Sequence, residues 1–390
     1  MIIIHDTLRE HLLSNQNECV DDVNSVHGIK DMELTLCIMN LSNRLKWIIG
    51  ISAFVLIMAA VIFLKTQKAS ASNDRLVGRD YSRQFLGMEY TVQVIGDSVD
   101  YSRGLDSLEA LYRFHFDNSN PNSSVMKFNL SQITNAPILI EDRGGLFLRV
   151  LKVADEMHSR SGYNWDFSLT PAKVAWLPFV MSFKEGAANI DSLKSMASLQ
   201  NVKLNYEVLA DNQIALFKTH PSIEYDFQKI VKAMFMDEAM SYYKRRSKSI
   251  NQIVIRNKEN WVLTFGNQVD SLNRVNLWTD SKPSENNILI QDRGFASCNA
   301  IEKRTLIDPF TLAPVTNEMY QTYVTAPSML ESVIFAESFM VMGVEYMGSW
   351  YSNNEDSDIQ SLVYFTTQDG QRDYAYTENF GKMMIQKLKK

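Results

Sequence analysis

Cysteine is scarce in this chain of 390 residues, histidine is little commoner, and basic residues are not in excess. Three cysteines, Cys19, Cys37 and Cys298, are too few and too scattered for a disulfide framework or a zinc site. The six histidines form no HExxH or other pair at metal-ligating spacing. Lys and Arg total 39 against 45 Asp and Glu, a net charge of −6. That balance leaves no electrostatic footprint for nucleic acid, so no nucleic-acid partner is expected. Neither G-x-G-x-x-G nor a P-loop is present, which removes the two common glycine cradles for phosphate. No internal repeat is visible.

What is present begins with one long apolar run. Residues 47–64, WIIGISAFVLIMAAVIFL, carry no charge over 18 positions. At ~1.5 Å per residue such a helix just crosses a bilayer core. Ala-Ser-Ala follows at 69–71, but Lys65 and Lys68 stand between it and the run, which a cleaved signal peptide rarely tolerates. The reading is an uncleaved, single-pass anchor in the cytoplasmic membrane. Residues 1–45 are then an N-terminal segment, either cytoplasmic or upstream of a true start near Met39. Residues 46–65 are the anchor, 66–78 a small polar linker, and 79–390 one domain on the outer, periplasmic side.

The apolar fraction of 45% suffices for a full core in that domain. Strands are expected at MEYTVQVIG, NQIALFKT, NQIVIRN, NWVLTFG, VNLWTD and NILIQ. Helices are expected at LDSLEALYRFHF and at the run Leu146, Val150, Val153, Met157, with Gly162 as its left-handed stop. IEYDFQKIVKAMFMDEAMSYYKRR reads as a strand passing into a helix near Gln228. Asp166 and Pro171 punctuate what reads as a loop closed by Trp176. Ser328 and Glu331 form a capping pattern, and Asp369-Gly370 marks a final hairpin. Strands and helices mix without strict alternation, which favours an α+β class.

Several segments in fixed order share a resemblance. SGYNWDFSLTPAKVAW, with Ser161, Gly162, Asp166, Pro171 and Trp176, resembles SGGAFDPTVGPLVNLW. YDFQKIVKAMFMD resembles DLGAIAKGYAVD, TLIDPFTLAP resembles HIIDPRTGYP, and VIFAESFMVMG resembles DAYATAFMVMG. FASCN stands where VATSG is usual, and Asn129 follows a serine-rich loop. Over roughly residues 85–385 the chain resembles the ApbE family, the FAD:protein FMN transferases.

That resemblance implies an ApbE-like mixed sheet and helix domain. It also implies a magnesium-dependent attack by a target Ser or Thr hydroxyl on the FAD pyrophosphate, leaving FMN on the target and releasing AMP. It implies flavin contacts from Asn129, Asp166, Lys232, Ser297 and Thr305, and catalytic roles for Lys232, Asp237 and Asp308. Metal ligation falls to Glu337 and the backbone carbonyl of Val231. The partners implied are flavin and a target subunit of a membrane redox complex.

The departures are as telling as the matches. The family places two oxygen ligands four residues apart, where this chain has Val333 and Glu337. Its histidine is Thr305, which cannot act as a base near neutral pH. Its paired glycines are Asn257 and Lys258, whose side chains are expected to obstruct a dinucleotide, and Ala233 is expected to crowd the ligand. Asp166 and Asp308 serve equally well as turn caps on residue chemistry alone. Two functions follow: a degenerate member that binds flavin or a protein partner without efficient catalysis, or an active transferase with a reworked metal site. On the first, activity returns only when Val333→Asp, Glu337→Thr and Thr305→His are combined.

Overall fold

The computed structural model describes residues 2–4, 77–96, 102–182, 187–246, 250–266, 274–279 and 282–385. The chain divides into two units, residues 1–7 with 78–390, and residues 8–77. The apolar run at 47–64 and the linker lie outside the described residues. Among the described residues no helix is long and apolar enough to cross a membrane.

The sheet starts from a tight hairpin. β2 (Val77–Phe85) and β3 (Met88–Gly96) meet at Leu86 and Gly87, whose φ values of 47° and 78° make the turn. In β3 the residues Met88, Tyr90, Val92 and Val94 point inward, the period of two that a half-buried strand requires. The other strands of this sheet are β1 (Ile2–Ile4), β7 (Gln252–Asn257), β8 (Val262–Phe265), β11 (Gly294–Asn299), β12 (Met319–Ala326), β13 (Gln360–Thr366) and β14 (Arg372–Thr377). Their order is β1-β14-β13-β12-β11-β8-β7-β3-β2. Each registered pair is antiparallel. Two three-stranded sheets flank it: β4 (Ile138–Glu141) with β6 (Gln213–Leu216) and β5 (Tyr206–Val208), and β10 (Lys282–Leu289) between β9 (Arg274–Thr279) and β15 (Met384–Ile385).

Nine α-helices accompany the strands among the described residues: α1 (Ser102–Phe116), α2 (Ser124–Leu130), α3 (Leu146–Arg160), α4 (Thr170–Ser182), α5 (Ile190–Leu193), α6 (Gln228–Arg246), α7 (Ala300–Lys303), α8 (Met329–Asn353) and α9 (Glu378–Met383). α8 packs on β11, β12 and α6, and α6 brings Phe235 onto Phe85 as a stacked pair with centroids 4.0 Å apart. α8 breaks at Gly343, where φ is 76°. Asn317 Nδ2 donates to the freed carbonyls of Met340 and Val341, and Glu318 accepts from Val344 N. Both sides of the break are thereby satisfied, as a helix interruption requires.

The α+β expectation stands, as do the strands at β3, β6, β7, β8 and β9 and the left-handed Gly162, with φ of 61°. Two local expectations need correction. The segment closed by Trp176 is α4 rather than a loop: Pro171 falls in its first turn, where a missing N–H costs nothing. Trp176 sits inside that helix and donates through Nε1 to Leu312 O at 2.7 Å. The residues before Gln228 form no strand, because Asp226 accepts from Gln228 N and starts α6 directly.

β1 introduces a conflict. Its residues pair with Thr377, Tyr376 and Ala375 of β14. Residues 2–4 cannot lie across a membrane from β14 while that pairing holds.

Candidate functional site

A cleft of about 510 Å³ opens where the β7–β8 turn, the end of β11, α7 and β12 meet. Asn257, Lys258, Glu259 and Asn260 form one wall, and Ser297, Asn299 and Glu302 the opposite one. Tyr320, Gln321 and Tyr323 of β12 complete it. The turn is built by Asn260, with φ of 61°, and by Asn257, whose Oδ1 accepts from Trp261 N at 2.9 Å. The side-chain Nδ2 of Asn257 is buried and has no partner among the described residues. Such a donor is an exception among buried polar groups, and because it is closed to solvent a ligand would reach it only if the turn shifted.

Alternation along β11 decides what faces the cleft. Ser297 and Asn299 line it, while Cys298 turns inward and is 1% exposed. Burial pushes the Cys298 thiol up, which removes it as a nucleophile. Asn299 caps α7: its Oδ1 accepts from Ile301 N and Glu302 N, and the Glu302 carboxylate accepts in turn from Asn299 N. The asparagine in place of the family glycine is therefore a reciprocal helix cap.

Charged side chains of α6 and α8 lie within electrostatic reach of the Glu302 wall. Glu337 of α8 is 7% exposed and forms a salt bridge with Lys229 in the first turn of α6. Lys229 keeps 40% of its side chain accessible. Burial pushes its pKa down, but the Glu337 carboxylate, with Cys298 and Glu302 beyond it, carries the net shift upward. One turn along α6, Lys232 reaches Glu259 at 3.9 Å. Lys303 is committed to the carbonyls of Asn317 and Met319.

The other expected site residues are engaged elsewhere, and none of them lines the cleft. Asn129 exchanges two hydrogen bonds with the Tyr225 backbone, at 3.0 and 2.9 Å. Asp166 accepts from Ser168 N, Ser168 Oγ and Leu199 N, each at 2.7 Å. Asp308 accepts from Phe310 N and Thr311 Oγ1 and holds its own turn. Asp237 accepts from Met329 N and Leu330 N at 2.8 and 3.0 Å, capping α8. Burial pushes its carboxyl up to about 7 against those two donors. Thr305 donates to Glu302 O at 2.9 Å. Ala233 is 0% exposed in the hydrophobic core, so its methyl group crowds no ligand.

The magnesium expectation can be tested on these groups. The ion demands near-octahedral oxygen donors at ~2.0–2.1 Å. Val333 is a core residue, 2% exposed, and supplies none. Val231 lies within α6, where its carbonyl belongs to the helical bond pattern. Glu337 already holds an ammonium. A dication about 4 Å from that ammonium would meet a repulsion of about 8 kcal/mol, twice the figure for unit charges at an effective dielectric constant of 20. Among the described residues no group of three His, Cys, Asp or Glu could hold a metal. The residues present do not fit the ion.

Lys229 escaped the sequence reading, although the signal was there. In register with DLGAIAKGYAVD it falls on the alanine before the isoleucine.

An antiparallel sheet backed by α6 and α8, with a cleft at the β7–β8 turn, defines a flavin-transferase type of fold. The chain belongs to the ApbE family, whose model matches residues 86–362. It is similar in structure to the flavin transferase ApbE from Vibrio cholerae, at 17% identity and a TM-score of 0.64, covering 79% of this chain and 99% of that one. The flavinyl transferase ApbE of Pseudomonas stutzeri, in its apo form, gives 14% and 0.61, covering 79% and 96%. The ApbE protein from Thermotoga maritima gives 13% and 0.60, covering 80% and 100%. No curated protein matches the chain.

Proposed function

We propose that this protein binds flavin, as FAD, in the cleft bounded by Asn257, Ser297 and Tyr320, and transfers FMN inefficiently or not at all. Family membership supports the ligand class, and the cleft that these residues line supports the place. The observation that carries the loss of catalysis is the Lys229–Glu337 pair beside the apolar Val333. A transferase with a reworked metal site would need Glu337 free. Titrating the full chain with FAD, followed by flavin fluorescence, is expected to give saturable binding. Incubation with magnesium and a Ser/Thr target peptide from a membrane redox subunit is expected to leave that peptide unmodified by mass spectrometry. Absence of FAD binding would sink the ligand assignment, and repeated turnover to an FMN-peptide would sink the loss of catalysis.

The membrane placement belongs to the same reading, and its conflict with β1 is decided by magnitude. Three residues on a sheet edge gain about 0.5–1.5 kcal/mol per hydrogen bond. Ordering their backbone costs about 1–2 kcal/mol each, so the net is near zero. The run at 47–64 holds eleven Ile, Leu, Val and Phe residues, each favouring insertion by about 0.3–0.6 kcal/mol. On this reading insertion outweighs the edge pairing, and residues 1–45 stay inside without the β1 contact when the run at 47–64 is in a bilayer. A reporter fused after residue 390 is expected to work only outside the cytoplasm; activity confined to the cytoplasm reverses the orientation.

A further inference from the structure

The mismatch at the magnesium position has a specific cause, because a cation is already there. Lys229 and Glu337 are 108 positions apart in sequence, yet α6 and α8 bring their side chains into a salt bridge within electrostatic reach of Glu302 on the cleft wall. Glu337 is nearly excluded from solvent, whereas Lys229 is not. An ammonium with one acceptor taken has two N–H groups left, and the accessible part of Lys229 can present them to an anion.

We propose that Lys229 is a tethered replacement for the divalent ion: it excludes metal from Glu337 and presents its own positive charge to the diphosphate of a bound dinucleotide. The metal exclusion stands on the ion pair alone, and only the diphosphate half rests on the flavin reading above. Neither half requires bond making or bond breaking. A point-charge ammonium is a common phosphate binder but, unlike a dication, cannot bridge several phosphoryl oxygens while neutralising two charges. Binding without efficient transfer follows from that difference.

Two arms test it on the full chain. In the first, Mn²⁺ alone is titrated and followed by water-proton relaxation. The natural chain and Val333→Asp with Lys229 retained are expected to be silent. Val333→Asp combined with Lys229→Ala places two carboxylates one helical turn apart on α8 without the ammonium. It is expected to bind Mn²⁺ at least about tenfold more tightly than either. Mn²⁺ binding by the natural chain that disappears in Glu337→Gln would overturn the proposal, and so would a folded Lys229→Ala, Val333→Asp variant with no gain. Should that variant not fold, the natural chain and Glu337→Gln still decide: silence in both supports metal exclusion.

In the second arm, FAD affinity is measured in EDTA and in magnesium. The natural chain is expected to show equal values, and Lys229→Ala a loss of at least about tenfold in EDTA. An unchanged Lys229→Ala overturns the diphosphate contact. Failure of the natural chain to bind FAD refutes the flavin reading and leaves the Mn²⁺ arm to judge the rest.

Discussion

Gly294→Ala is expected to destabilise the protein by about 3 kcal/mol and to weaken any ligand in the cleft, a cost at the upper end of what overpacking usually exacts. An added Cβ would stand 2.6 Å from Ser328 O, 2.7 Å from Ser332 Oγ and 2.9 Å from Met329 Cα. Two of those three atoms are backbone, so rotating a side chain cannot relieve the clash. Nor can β11 retreat easily, because Gly294 is held between Leu263 of β8 and Ala326 of β12. The N-terminus of α8 is pinned too, by Ser328 and by Asp237. Strain released along β11 would reach Ser297 and Asn299 on the cleft wall. Denaturant unfolding should show the loss, and adding Ser332→Ala should recover only part of it. A change below about 0.5 kcal/mol, the range of an ordinary surface substitution, would mean that α8 is not seated on β11 as described.

The second large effect concerns recovery of transfer. Combining Val333→Asp, Glu337→Thr and Thr305→His follows from the sequence departures alone, and the structure changes that expectation. With Lys229 retained, the triple variant loses the Glu337 partner but offers the ammonium a new carboxylate one helical turn away at position 333, and it is expected to stay inactive. Adding Lys229→Ala is expected to raise magnesium-dependent FMN transfer by about 10²–10³, the usual worth of one preorganised electrostatic contact. The gain need not equal the sum of its parts, because residues that act as a unit are non-additive. Asn257 and Lys258 remain on the cleft wall in every variant, so a quadruple variant that binds FAD without transferring it would point to them. A triple variant as active as the quadruple one would remove Lys229 from the explanation.

Much of the architecture was legible in the chain. β3 follows from alternation of Met88, Tyr90, Val92 and Val94, and α3 from the spacing of Leu146, Val150 and Met157 before a left-handed Gly162. These are local patterns, readable because backbone period and side-chain direction are coupled within a few residues. Motif order carried the family for the same reason: each motif is a contiguous segment. Local reading left two uses open where a side chain is polar. Asp166 and Asp308 suited a site or a turn cap equally, and the structure shows that they, like Asp237, accept from nearby backbone N–H groups.

By itself, then, the sequence determined the α+β class, the order of most elements and the family. Tertiary structure alone decided which charges meet. Lys229 pairs with Glu337 across 108 positions, and Asp237 reaches Met329 across 92. Neither pairing has a period or a spacing that could announce it. An ion pair is selected by distance in space and by the desolvation its partner offsets, and both exist only once α6 and α8 have packed on the sheet.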